Sequence, residues 1–83
     1  MITQERLAEW ITDVEYIRPK TAPTGTIAVV TLKNGFNVVG TAFCVDENEY
    51  NENMGREFAF ANAQDKIFEL LAFLEKEKQC TGS

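Results

Sequence analysis

Histidine is missing altogether from the 83-residue chain. Its absence removes the side chain that most often acts as a general base near neutral pH, and the commonest metal ligand. Cysteine is scarce. Cys44 in a strand-like run and Cys80 beside the C-terminus have neither the number nor the spacing of a disulfide framework or a zinc site, so two reduced thiols and no metal are expected. Basic residues are few, 8 Lys and Arg against 13 Asp and Glu, and the net charge of −5 repels nucleic acids and anionic membranes. General nucleic-acid binding is therefore not expected, although a few converging donors in a pocket can still hold a small anion. No apolar run approaches a membrane span, and the N-terminus lacks a basic region followed by an apolar stretch; a cytoplasmic location follows as an expectation. Glycines occur only singly, which leaves no phosphate loop or dinucleotide fingerprint.

What is present fits a small α+β domain spanning 1–83. Thr3 stands as an N-cap before Leu7, Trp10, Ile11 and Val14, which recur at helical spacing, with Ile2 and Leu7 placed for a hydrophobic staple. These positions predict a short helix over 4–12. Both prolines fall within the next stretch, 18–25, and favour an extended connection. Val, Ile, Thr and Phe then dominate 26–33 and 36–45, separated only by Asn34-Gly35. A two-residue type I′ turn between antiparallel strands is predicted, with Thr31 opposite Val38, Val30 opposite Val39 and Thr26 opposite Phe43. The acidic, cap-rich run Asp46-Glu47-Asn48-Glu49 leads into a long C-terminal helix over 49–78, which carries apolar residues around much of its circumference. A hairpin apolar on both faces, in a chain too short for a thick core, predicts a homo-oligomer.

No catalytic set emerges. Cys44 lacks an activating partner and reads as a small core residue, while Asp46/Glu47 and Glu75/Glu77 sit in solvated helix ends. A non-enzyme without a cofactor is the expectation. The candidate ligand-binding residues are Tyr16 and Arg18 before the proline stretch, Lys33, Asn34 and Phe36 at the hairpin, and Arg56, Phe60 and Asn62 on the long helix. Arg56 follows Glu52 by four residues, which makes an exposed ion pair; it also precedes Phe60 by four, which offers a guanidinium beside an aromatic platform for a phosphate and a base. Asn62 either caps neighbouring backbone or contacts a ligand, and Phe36 either covers the core edge or engages a partner. Gly55, Ala59 and Asn62 leave room for a strand or second helix to approach closely.

The succession Val30-Thr31-Leu32-Lys33-Asn34-Gly35-Phe36, then Val38-Val39-Gly40, Cys44-Val45, Gly55-Arg56, Ala61-Asn62-Ala63 and Lys66-Ile67-Phe68 resembles a family of small phage and prophage proteins. That family is named after short gene products of the coliphage N-four and a Shigella phage. The resemblance implies a bacteriophage accessory protein working in the bacterial host cytoplasm. In size and order of elements the chain is also similar, more loosely, to the anti-Thoeris sponges that sequester a cyclic ADP-ribose. Together these imply an anti-defence protein that sequesters a cyclic nucleotide or cyclic ADP-ribose-type signal between subunits without turning it over. The alternative is a protein–protein inhibitor or adaptor acting on a host enzyme.

Overall fold

The computed structural model describes residues 3–21, 24–44 and 46–81; the expected Ile2 staple and the expected strand end at Val45 lie outside them. Helix α1 (Gln4–Trp10) leads directly into strand β1 (Ile11–Ile17). Strands β2 (Gly25–Leu32) and β3 (Asn37–Phe43), a 3₁₀ turn (Glu47–Glu49) and helix α2 (Glu52–Thr81) follow. The strands form an antiparallel meander in the order β1-β2-β3, and α2 lies across one face. The α+β class, the Asn34-Gly35 hairpin and the long C-terminal helix are therefore present, with a third strand added.

That strand replaces the last turn expected of the first helix. Thr3 caps α1 by accepting the Arg6 N–H at 3.2 Å, but Ile11 adopts φ −87° and ψ 119°, and the chain runs on extended. Ile11-Thr12, Val14 and Tyr16-Ile17 are β-branched or aromatic residues, which suit a pleated strand better than a helix. Leu7, Trp10, Ile11 and Val14 share a helical period by coincidence: Leu7 and Trp10 belong to α1, Ile11 and Val14 to β1.

The hairpin departs from the expected register by one residue. Leu32 accepts from Gly35 N–H at 2.8 Å and donates to Phe36 C=O at 2.8 Å, and Gly35 alone among the described residues has a positive φ, +88°. Asn34 therefore does not take the left-handed conformation that a type I′ turn requires. Lys33-Asn34-Gly35 instead forms a three-residue loop, a type I turn closed by a left-handed glycine. Thr31 consequently lies opposite Asn37, Val30 opposite Val38, Ala28 opposite Gly40 and Thr26 opposite Ala42. The slip puts Thr26, Ala28, Val30, Val38 and Gly40 together on the face beneath α2.

Asn51 starts α2 by accepting the Met54 N–H at 3.2 Å, three residues later than the expected start. The helix meets the sheet along an every-fourth-residue stripe graded in size: Gly55, Ala59, Ala63, Ile67 and Leu71. At the small end a Cβ on Gly40 would come to 2.1 Å from the Ala59 carbonyl oxygen, so only glycine fits the crossing. At the large end Ile67 and Leu71 join Leu7, Val30, Leu32 and Val38 in the core, with Phe60 and Trp10 packed at its margin. No helix in the described residues is long and apolar enough to cross a membrane.

Candidate functional site

Where β1 ends, β2 begins and α2 starts, two arginines come to lie over two tyrosines. Tyr16 faces the α2 side from β1, opposite Ala28. The Arg56 guanidinium sits 5.9 Å from its ring centroid and reaches Glu52 Oε1 at 2.9 Å. Arg18, just past β1, sits 5.2 Å from the ring centroid of Tyr50, whose hydroxyl lies 3.4 Å from Thr26 Oγ1. Thr26 is fully buried and anchors this end. Gly55 lets the helix down onto it, because a Cβ there would approach Thr26 Oγ1 to 2.7 Å and the Tyr50 ring to 3.5 Å.

Each guanidinium is thus held against an aromatic face, which orients a planar donor fork at modest cost in side-chain freedom. This end sets two guanidinium groups beside aromatic surface, one of them bridged to Glu52. Such a pair of groups suits an anion that carries a ring. The adjacent cleft between Tyr50, Gly55, Phe58, Ala42 and Cys44 measures only about 70 Å³. Ligand pockets commonly span roughly 300–1,000 Å³, so one copy of the chain offers a recognition surface without an enclosing pocket.

The remaining candidates separate. Lys33 Nζ stacks 4.3 Å over Trp10, Asn34 Oδ1 accepts the Phe36 N–H at 3.1 Å, and Phe36 is exposed, all at the opposite end of the sheet. There Phe36 lines an open apolar groove with Trp10, Leu70, Phe73 and Leu74. Phe60 is half-buried against the core, so it does not form the stacking platform expected beside Arg56. Asn62 Oδ1 accepts the Thr41 N–H at 3.1 Å, and Lys66 Nζ donates to the Val39 carbonyl at 2.7 Å. Both side chains bond the outer edge of β3, the backbone-capping alternative for Asn62.

Sequence reasoning missed Tyr50, Thr26, Trp10 and Lys66. Tyr50 and Thr26 lie 24 residues apart, and nothing local joins them. Among the described residues no group of histidine, cysteine or carboxylates is arranged to hold a metal. Both cysteines are free; the Cys44 thiol donates to the Asp46 carbonyl oxygen at 3.1 Å.

No curated protein and no solved structure matches the chain significantly. The model of the phage protein family described as N4 Gp49/phage Sf6 gene 66 matches residues 2–79, nearly the whole chain and both arginines of the stacked cluster. By that match the chain belongs to the N4 Gp49/phage Sf6 gene 66 family of phage proteins.

Proposed function

We propose that this phage protein acts by binding rather than catalysis, sequestering a cyclic nucleotide or cyclic ADP-ribose-type signal of host defence. The observation that supports this is the convergence of Tyr16, Arg18 and Arg56 with Tyr50 at one end of the sheet. Arg56 would pair a phosphate through nitrogens its Glu52 bridge leaves over, and an aromatic ring would stack on the base. A second copy of the chain would supply the missing wall of the pocket. Isothermal titration against cyclic di- and trinucleotides and cyclic ADP-ribose isomers tests this. Binding is expected with at least one of them, and Arg56→Ala should weaken it about tenfold or more, as loss of a hydrogen bond between charged groups implies. Absence of heat and of thermal shift with every compound would sink the proposal.

A second reading, a protein–protein inhibitor or adaptor of a host enzyme, draws support from the exposed Phe36, Leu70, Phe73 and Leu74 at the other end. Recovery of one host protein in stoichiometric amount with the intact chain, lost on Phe36→Ser, favours it over sequestration.

A further inference from the structure

The two edges of the sheet are finished differently. Because Leu32 N–H donates to the Phe36 carbonyl at one end of the hairpin and Cys44 N–H to the Thr24 carbonyl at the other, the residues of β2 with even numbers bond β3 and those with odd numbers bond β1. On β3 the outward-pointing groups therefore belong to Asn37, Val39, Thr41 and Phe43. Two of these groups, Thr41 N–H and Val39 C=O, are already taken by Asn62 and Lys66 reaching over from α2. On β1 the outward groups belong to Val14 and Tyr16, paired with Val30 and Ala28 across positions without hydrogen bonds. No side chain among the described residues bonds them.

Beside this open ladder, Asp13 and Glu15 project from the face away from α2, opposite Thr31 and Val29. Both are exposed, and neither has an ion-pair partner among the described residues. Ile17, two residues on, is exposed on the same face. An open edge bearing acid, acid and apolar side chains in alternation is a template for a strand of opposite pattern. A second copy does not supply it. Antiparallel pairing of β1 with its own copy sets Asp13 against Glu15, Glu15 against Glu15, or Glu15 against Ile17; the first two oppose like charges, and the third is the shortest overlap and gives neither carboxylate a cation.

We infer that the β1 edge takes up an extended basic peptide segment of a partner protein, added antiparallel, with an apolar residue opposite Ile17 and Lys or Arg opposite Glu15 and Asp13. Backbone bonds to Val14 and Tyr16 hold the added strand, and the two carboxylates set its register. Nucleotide binding at the arginine–tyrosine cluster does not enter into it, so either property can fail without the other.

The probe is a fluorescent synthetic heptapeptide, Thr-Val-Thr-Lys-Thr-Lys-Thr, titrated into the intact chain by anisotropy. Saturable binding is expected, about tenfold or more weaker for the variant Asp13→Lys with Glu15→Lys. In the unaltered chain, bound peptide should slow exchange of the Val14 and Tyr16 amide protons and leave Val39 and Thr41 unchanged. No binding at millimolar peptide overturns the inference. So does binding that survives charge reversal, protection confined to β3, or a β1-mediated dimer of the unaltered chain in light scattering.

Discussion

At the scale of single residues, glycine does two unrelated jobs. Gly35 supplies a backbone angle, φ +88°, with nothing within 4 Å of where a Cβ would go. Gly40 supplies space, because the Ala59 carbonyl and the Ala63 backbone occupy the volume a methyl group would need. The two substitutions should therefore differ in cost. Gly35→Ala strains one backbone position by about 1–2 kcal/mol. Gly40→Ala overpacks helix against strand where backbone cannot yield, and should cost about 3 kcal/mol or more, enough to threaten a small domain. Thermal unfolding of both variants checks the order, and equal losses would contradict it. Arg56 is the opposite case. Its ion pair with Glu52 is exposed, so Arg56→Ala should change stability by less than about 0.5 kcal/mol while weakening ligand binding as proposed above.

At the scale of elements, α2 covers one face of the sheet and also closes the β3 edge. An unprotected edge strand invites pairing with other chains. Replacing both edge contacts, Asn62→Leu with Lys66→Met, leaves Thr41 N–H and Val39 C=O without those partners while touching none of the buried stripe. The variant should keep its helix content and lose about 1–2 kcal/mol, the net worth of two partly exposed hydrogen bonds. It should also aggregate faster at equal concentration in light scattering. An unchanged aggregation rate would show that the two side chains do not guard the edge.

At the scale of the whole molecule, the shape is elongated, 54 × 20 × 20 Å, with a radius of gyration of 15.1 Å. A compact chain of this length would have one of about 12 Å. The excess comes from the C-terminal part of α2, where Leu70, Phe73 and Leu74 stay exposed beside Phe36. Covering a phenylalanine contributes about 1.5–3 kcal/mol, so several together can hold an oligomer. If a second copy covers this end, light scattering should give a multiple of the chain mass, falling to one chain in Phe36→Ser with Phe73→Ser. A single-chain mass for the unaltered protein at high concentration would leave the patch to a host protein.

Local interactions were legible in the sequence. The Thr3 cap, the Asn34-Gly35 reversal, the β-branched hairpin strands and the long helix are each specified within a few residues, by hydrogen bonds and backbone preferences that need no distant partner. Strand β1 was not legible: Ile11 and Val14 read as part of the helical pattern, since a short apolar run satisfies helix and strand patterns alike. The register was not legible. Asn-Gly permits either a two-residue or a three-residue loop, and the choice falls to α2, whose close crossing brings Val38 and Gly40 beside the buried Val30 and Ala28 rather than beside Thr31 and Val29. Residue type marked Tyr16, Arg18 and Arg56 as candidates, but only tertiary structure put them beside Tyr50 and sent Asn62 and Phe60 elsewhere. Sequence determined which segments turn, cap and extend, because those energies are local; the packing of one long helix on three strands decided which side chains meet.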